Sequence, residues 1–291
     1  MNFNIIKKSR LWFTISILLV LVSVSVFVMN SVTRGKIMNY GIDFTGGTLI
    51  NIRFANPVVV AQVREVLSEF KLGEAVIQKS GDKDVFIRTE PLETDVRQQI
   101  VQKLSEKYGG AELLEADTIG PVIGNELRAQ AFWALLLASL GIVIYVAFRF
   151  ETMFALAAIF ALLHDAIITT GVMALLWRSI DITFIAAILT VLGYSINDTI
   201  VIFDRIRENV KKPGANKKSF AEIVNASLWE TMARSINTVL TVLVMVLALL
   251  FFGGETLREF CLTLLIGFTL GAYSSVFIAA PLAVLWHKRN K

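Results

Sequence analysis

The sequence predicts an α-helical membrane protein with six transmembrane helices and an α+β domain inserted between the first two. Three observations support this prediction. The 291 residues are 55% hydrophobic and 18% charged, and their mean hydropathy of +0.64 is too high for an ordinary soluble domain. Six apolar runs are each about 20 residues long, enough to cross roughly 30 Å of hydrocarbon. Between the first two runs, the residue pattern becomes that of a mixed globular domain.

The apolar runs define the expected transmembrane segments. They cover residues 11–29, 129–148, 152–177, 182–203, 235–252 and 257–286. Lys7, Lys8 and Arg10 precede the first run, as in a secretory signal, but the MNSVTRG that follows has no small-x-small cleavage site. We therefore interpret the first run as a retained anchor. Cys261 is the single cysteine of the sequence, so no disulfide can form within it.

The distribution of lysine and arginine predicts the orientation in the membrane. Short loops on one side hold only Arg178 and Arg258, whereas basic residues cluster on the other side. The basic clusters comprise Lys7, Lys8, Arg10, Arg205, Arg207, Lys211, Lys212, Lys217, Lys218, Lys288, Arg289 and Lys291. We expect the clusters and both termini in the cytoplasm, and the inserted domain outside a bacterial inner membrane.

Three parts follow from this topology. Residues 1–32 form the cytoplasmic N-terminus and first helix, 33–128 the periplasmic domain, and 129–291 a five-helix bundle with a cytoplasmic loop at 204–233. Residues 31–128 contain 12 Lys and Arg against 14 Asp and Glu, so the basic excess belongs to the membrane part. It indicates topology and contact with lipid, and we expect no nucleic-acid partner.

The inserted domain has the strand and helix order of a ferredoxin-like fold. TLINIRF alternates as a half-buried strand does, and Asn56 with Pro57 predicts the start of a helix. EAVIQ and DVFIRT flank a turn at Gly81, Val96 marks a second helix, and AELLEA is typical of a last strand. The predicted order is β-α-β-β-α-β. The domain contains no His and no Cys, and its scattered carboxylates are typical of solvated surface, so we expect no catalytic residues, no metal and no enzyme activity.

Five polar residues in the predicted spans require an explanation, because an ionised side chain at mid-membrane costs roughly 2.5–3.5 kcal/mol. They are His164 and Asp165 in the third span, Asn197 and Asp198 in the fourth, and Arg234 at the head of the fifth. Helix rise places Asp198 and Arg234 at similar depth on consecutive helices. We predict that the two form an ion pair and that its loss makes Asp198 take up a proton, which is the minimum needed for a proton relay.

Structural alternatives exist for each of these residues. Arg234 can extend to the interface, Asp198 with Asn197 can form an interhelical hydrogen-bond cluster, and His164 can be a satisfied packing residue. Small residues near them predict close helix packing: Gly193 and Ser195 in the fourth span, and Gly267 and Gly271 in the sixth. Residues 217–229 are predicted to form an interfacial helix that leads into the fifth span.

Four motifs carry a resemblance to a known family. GIDFTGG follows the first span, GPVIGNEL precedes the second, GYSINDTIVIFDRIREN ends the fourth, and GAYSSVFIAAPL lies in the sixth. Together they resemble the SecF branch of the SecD/SecF family, within the resistance-nodulation-division superfamily, over nearly the whole chain. The resemblance implies six spans of a twelve-span unit that SecD completes, and use of the proton gradient to draw a preprotein outward. The residues that match the family's proton pathway are Asp198 and Arg234. His164 and Asp165 in the third span also fit the family's sequence pattern.

The resemblance also implies partners. They are SecD, the SecYEG channel with its ATPase motor, YajC and the unfolded preprotein. No cofactor is expected; the gradient of protons supplies the energy, and sodium is left open as the coupling ion.

The first two motifs lie where the inserted domain joins the spans. The hypothesis is that they act as hinges, through Gly41, Asp43, Gly46, Gly47, Gly120, Pro121 and Gly124. The alternative is that these residues are ordinary loop residues at tight turns.

Three other functions agree less well with the sequence. A half-size proton-coupled exporter of a small molecule or lipid would need a larger external domain with a cleft. An inert scaffold leaves the intramembrane Asp165, Asp198 and Arg234 unexplained. An intramembrane protease is disfavoured, because the sequence has no HExxH motif and no Ser-His dyad.

Overall fold

The computed structural model describes residues 3–214, 217–254 and 257–289, so Lys291 of the predicted cytoplasmic cluster lies outside the described residues. Ten helices occur in these ranges: α1 Ser9–Arg34, α2 Ile42–Thr45, α3 Val60–Glu69, α4 Thr94–Tyr108, α5 Pro121–Arg149, α6 Thr152–Leu175, α7 Ile182–Lys211, α8 Phe220–Phe252, α9 Arg258–Ser274 and α10 Ala280–Arg289. The strands are β1 Asn39–Tyr40, β2 Gly47–Phe54, β3 Val76–Ser80, β4 Asp84–Thr89, β5 Ala111–Ile119 and β6 Ser179–Ile180. A 3-10 turn, Ile6–Lys8, precedes α1, and a π-helical turn, Ser275–Ala279, joins α9 to α10.

Six of the helices are long and apolar enough to cross a membrane, which confirms the predicted fold class. They span Ile6–Arg34, Pro121–Arg149, Thr152–Leu175, Ile182–Lys211, Phe220–Phe252 and Arg258–His287. Half or more of the apolar window is buried in the third, fourth and sixth of them, against less than a fifth in the others. Helices α6, α7 and α9 therefore form the centre of the membrane unit, which comprises the chain up to Asn39 and from Trp133 onward.

Close contact between α7 and α9 depends on glycine. A Cβ atom on Gly267 would lie 2.2 Å from a methyl group of Val191, and one on Gly271 would lie 3.0 Å from the Cβ of Ser195. Gly193, on α7, has open space around it within this chain. Because glycine has no side chain, Gly267 and Gly271 let the two helices approach each other closely, as in other small-residue membrane interfaces.

The fifth span differs from its prediction at one end. Residues 217–229 were expected to form a separate interfacial helix, but α8 is a single helix from Phe220 to Phe252. Ser219 caps it in a capping box, in which its hydroxyl accepts from the Glu222 N–H and its own N–H donates to the Glu222 carboxylate. No proline or glycine interrupts the helix after that cap, so nothing separates an interfacial part from the span.

The second unit, residues 40–132, contains a four-stranded antiparallel sheet in the order β3-β4-β2-β5, with α3 and α4 packed on one face. This is the predicted ferredoxin-like arrangement. Its core consists of alternate residues of the central strands and one face of each helix: Ile50, Ile52, Phe54, Val85 and Ile87 from the sheet, with Val63, Val66, Leu67, Ile100 and Leu104 from the helices. The helical spacing that predicted α3 and α4 is the spacing of these core residues.

The first of these two helices starts later than predicted. Asn56 and Pro57 were expected at its N-terminus, but α3 begins at Val60 after an extended Val59. Val58 is 3% exposed and belongs to the core, so the chain stays extended until that side chain is buried. The Val59 N–H then donates to Oε1 of Gln62, 2.9 Å away, in place of the predicted asparagine cap.

A bidentate ion pair joins the two central strands of this unit. Nε and Nη2 of Arg53 on β2 each donate to one carboxylate oxygen of Asp84 on β4, at 2.8 Å. These hydrogen bonds hold the pKa of Asp84 below its usual 3.8, although partial burial opposes that shift. The stabilisation is therefore fully present above pH 3.8 and is lost as pH falls through the lower pKa of the folded state.

Substituting Gly267 by Leu should weaken the α7–α9 contact, because the new side chain overlaps Val191. Overpacking costs about 1–3 kcal/mol, so we expect the midpoint of thermal unfolding in detergent to fall by about 5 °C. Gly193→Leu on α7 is the control, since it meets open space, and should change the midpoint little. Equal midpoints for the two variants would contradict this account of the contact.

Acidification should open the β2–β4 pair locally. In the full chain, hydrogen exchange of residues 47–54 and 84–89, corrected for intrinsic rates, should lose protection as pH is lowered from 6 through the Asp84 pKa. Asp84→Asn should reduce protection at pH 6 and flatten the acid dependence. A wild-type acid dependence that persists in the variant would show that another group is responsible.

Candidate functional site

The carboxyl group of Asp165 is fully buried in the membrane unit. Its side chain is 0% exposed, halfway along α6. The hydroxyls of Ser195 on α7 and Ser274 on α9 donate to Oδ2 at 2.7 and 2.6 Å, and Nδ1 of His164 lies 2.9 Å from Oδ1. Three helices thus supply three hydrogen-bond partners to one carboxyl group, which offsets the cost of its burial.

His164 is held in place from its other side by an aromatic contact. Its ring stacks on Tyr273, with centroids 6.2 Å apart, and the Tyr273 hydroxyl donates to the carbonyl of Trp12 at 3.1 Å. Nε2 of His164 is buried and has no hydrogen-bond partner in the described part of the chain. The imidazole therefore has one nitrogen engaged with Asp165 and one available.

A change of helix type lies directly beside this group. Ser275 begins the π-helical turn after α9, and its hydroxyl lies 2.8 Å from Oγ1 of Thr199 on α7. The same hydroxyl donates to the carbonyl of Gly271 at 2.9 Å. Turns of this type are rare and occur often at functional sites, because they redirect side chains without ending the helix.

Asp198 lies three residues after Ser195 on α7 and has a different environment. The Ser235 hydroxyl on α8 donates to its Oδ1 at 2.7 Å, whereas Oδ2 is buried and has no partner among the described residues. The side chain lines a cavity of about 190 Å³. The other lining residues are Tyr194, Asn197, Val201, Arg234, Thr238, Thr241 and Val242. This carboxyl group is therefore half satisfied and faces open volume.

Arg234 lines the same cavity but does not form the ion pair predicted from the sequence. No N···O contact within 4.0 Å joins it to Asp198 in the described structure, and Ser235, the next residue, contacts the carboxyl group instead. The side chain of Arg234 is exposed within this single chain. The predicted similar depth of Asp198 and Arg234 agrees with their shared cavity, whereas direct contact does not occur in this arrangement.

Helix α7 connects the two carboxyl groups. Ser195 and Asp198 are three residues apart, a rise of about 4.5 Å, so the hydroxyl bound to Asp165 and the carboxyl bound to Ser235 belong to one helical turn. A shift of α7 would therefore alter both sites. Asn197 is exposed beside them and lines the cavity.

The two glycine motifs meet each other in the second unit. GIDFTGG forms the short helix α2, and GPVIGNEL forms the first turns of α5, where Pro121 occupies the first helical position. A Cβ on Gly124 would lie 2.9 Å from the backbone nitrogen of Gly46, and one on Gly46 would lie 3.1 Å from Cα of Pro121. The guanidinium of Arg128 also donates to the Phe44 carbonyl. The two motifs therefore form one close-packed joint.

Individual residues of these motifs have different surroundings. Gly46 and Gly47 have φ of +70° and +130°, which favour glycine, and a Cβ on Gly47 would meet the Thr89 carbonyl at 2.3 Å. Gly41 precedes α2, and Asp43 lies in its first turn. Gly120 has open space around its Cα and accepts a hydrogen bond from the Gly124 N–H at 3.0 Å.

Several site residues were missed by the sequence prediction. The hydroxyls of Ser235 and Thr199 were assigned no role, and Ser195, Ser274 and Ser275 were assigned only to helix packing. The available signal was their position within apolar spans, including the adjacent serines of GAYSSVFIAAPL. In the described residues, no group of three or more His, Cys, Asp or Glu side chains is placed to hold a metal ion.

Comparison with known proteins identifies the family to which the sequence is similar. The family model "Protein export membrane protein SecD/SecF, C-terminal" matches residues 99–289, and the model "SecD/SecF GG Motif" matches residues 38–58. Two relatives named protein translocase subunit SecF are each 42% identical. The protein of Sebaldella termitidis aligns with 100% of this chain and 94% of its own length, and that of Desulfurispirillum indicum with 95% and 90%.

Solved structures agree with these sequence matches. The crystal structure of SecDF from Thermus thermophilus, described as a translocon-associated membrane protein, matches 99% of this chain with a TM-score of 0.89 and 38% identity. A structure of SecDF in a super-membrane-facing form matches 100% with a TM-score of 0.72 and the same identity. The chain spans 39% of the length of each solved chain. This chain belongs to the SecD/SecF family of protein-export membrane proteins.

Proposed function

We propose that this chain acts as a SecF-type subunit of the Sec protein-export machinery and uses the proton gradient, together with SecD, to complete preprotein translocation. The relatives with nearly full-length alignment are named translocase subunits. The matched SecDF chains are longer and contain a region equivalent to this one, which supports pairing with SecD. The exporter alternative is not favoured, because the external unit of 40–132 has room for only one small fold.

The observation that carries the coupling proposal is the unpartnered Oδ2 of Asp198. An ionised carboxyl group with an unpartnered buried oxygen is costly in a low-dielectric environment, and binding a proton lowers that cost by removing the charge. The cavity beside it gives room for water, and Arg234 on its wall supplies a positive charge when Asp198 is ionised. Asp165, by contrast, already has three partners and serves to fix α6, α7 and α9.

In this scheme, protonation of Asp198 changes the interaction between α7 and α8. The neutral carboxyl group no longer attracts Arg234, so α8 is free to shift against α7, while Ser195 and Thr199 keep α7 bonded to Asp165 and Ser275. One charge that crosses 100 mV releases about 2.3 kcal/mol, enough to bias a two-state element. A sodium ion at Oδ2 is the alternative coupling ion.

The remaining elements of the proposal concern location and partners. The proposed location is a bacterial inner membrane, with both termini in the cytoplasm and residues 40–132 in the periplasm; the basic residues at the α7–α8 end support this orientation. We propose the SecYEG channel, its ATPase motor, YajC and the unfolded preprotein as partners beyond SecD. No chemical catalysis by this chain is part of the scheme.

Asp198→Asn should abolish coupling while leaving the fold intact, because an amide cannot exchange a proton but still accepts a bond from Ser235. In membrane vesicles that contain SecD, we expect export to fall to the level observed without a gradient. Asp204→Asn, six residues later on α7 and exposed, should export normally. Full gradient-stimulated export by Asp198→Asn would remove this residue from the relay.

Arg234 should contribute through its charge. Arg234→Met should lose gradient-stimulated export, and Arg234→Lys should retain part of it, because a lysine preserves the positive wall of the cavity. Both variants should still co-purify with SecD. Replacing the proton gradient by a sodium gradient in the same assay identifies the ion; stimulation by sodium alone would overturn the proton assignment.

A further inference from the structure

A basic cavity lies at the end of the membrane unit where α6 begins, α7 ends and α8 begins. Its volume is about 430 Å³. Arg207 and Lys211 line it from α7, Lys218 from the segment before α8, and His287 from α10. Apolar side chains of the same helices complete the wall, among them Phe220. The relay cavity beside Asp198 shares none of these residues.

The residues that line this cavity carry more positive than negative charge. Glu151 is its one carboxylate, against three permanent cations. Arg207 has a weak contact with Asp204, at 3.5 Å, whereas neither Lys211 nor Lys218 has a carboxylate within 4.0 Å in the described ranges.

Neighbouring arginines behave differently. Arg149 pairs with Asp204 at 2.8 Å, and Arg205 pairs with Glu208 and Glu230 at 2.6 and 2.5 Å. Arg149 and Arg205 are thus closely paired within the protein, whereas Lys211 and Lys218 line the cavity with no carboxylate within 4.0 Å in the described ranges. Such a cavity favours an anion.

The cavity also borders a surface that faces lipid. Leu156, Phe160, Leu163 and Ile167 are exposed on one face of α6, and Met153, at the start of that face, lines the cavity. Trp286 packs against Phe160 with ring centroids 5.6 Å apart, and the next residue, His287, stacks on Phe220 at 4.1 Å. An apolar stripe therefore runs along α6 directly from the basic cavity.

We propose that this cavity binds the headgroup of an anionic phospholipid. The phosphodiester lies against Lys211 and Lys218, and an acyl chain follows the exposed stripe of α6 from Met153 to Phe160. Free phosphate has the negative charge of the headgroup but no acyl chain. Only a lipid contacts both the lysines of the cavity and the apolar stripe of α6. Basic pockets between transmembrane helices bind such headgroups in this way. The site is independent of the proton relay and makes no use of Asp198.

The test is a lipid titration of the purified full chain in detergent, followed by native mass spectrometry. Phosphatidylglycerol should bind more tightly than phosphatidylcholine, and dihexanoyl phosphatidylglycerol should bind more weakly than the long-chain form. The double variant Lys211→Gln/Lys218→Gln should weaken phosphatidylglycerol binding about 25-fold, since each basic residue contributes roughly fivefold. Both lysines are exposed, so an unchanged thermal midpoint should show that the variant folds.

Lys7→Gln/Lys8→Gln removes the same charge from the N-terminal basic cluster and is the matched control. It should leave phosphatidylglycerol binding within about twofold of wild type, because generic surface attraction is not the source of the effect. Equal weakening by both double variants would overturn the site. Displacement of long-chain phosphatidylglycerol by an equal concentration of inorganic phosphate would also overturn it, by showing that the cavity takes free phosphate.

Discussion

The packing of the membrane helices depends on one constraint, the burial of the Asp165 carboxyl group. A carboxyl group in this position needs donors, and Ser195 and Ser274 supply them only if α7 and α9 lie side by side. That approach in turn requires the missing side chains of Gly267 and Gly271. The close packing at Gly267 and Gly271 and the hydrogen bonds to Asp165 therefore depend on each other.

The second carboxyl group differs in what it lacks. Asp198 has one donor, from Ser235, and one buried oxygen without a partner among the described residues, so in the proposed scheme its protonation state changes without breaking the core of the bundle. In the proposed scheme, the three hydrogen bonds of Asp165 keep α6, α7 and α9 together while that change occurs. Because Ser195 and Asp198 share a turn of α7, the rigid site and the variable site are mechanically linked. This division explains why two carboxyl groups occur at neighbouring depths with unlike surroundings.

The sequence predicted the elements well because their signals are local. Span length, the alternation of β2 and the helical spacing of Val63, Val66 and Leu67 each depend on neighbouring residues, and all three agree with the structure. The start of α3 was missed because a tertiary contact, the burial of Val58, overrides the capping signal. Ser235 and Ser274 were missed for a related reason, since a hydroxyl in an apolar span does not reveal which helix it faces.

The glycine motifs show how flexible residues can produce a rigid contact. Gly46 accepts Pro121 and Gly124 at distances that a side chain would prevent, and Arg128 adds a hydrogen bond across the same contact. Such packing resists bending at these positions, so the geometry explains the glycines by close approach and by the positive φ of Gly46 and Gly47. The hinge role stays a prediction. If these motifs transmit motion, they do so as a stiff connection between α2 and the first turns of α5, and any bending takes place outside this contact.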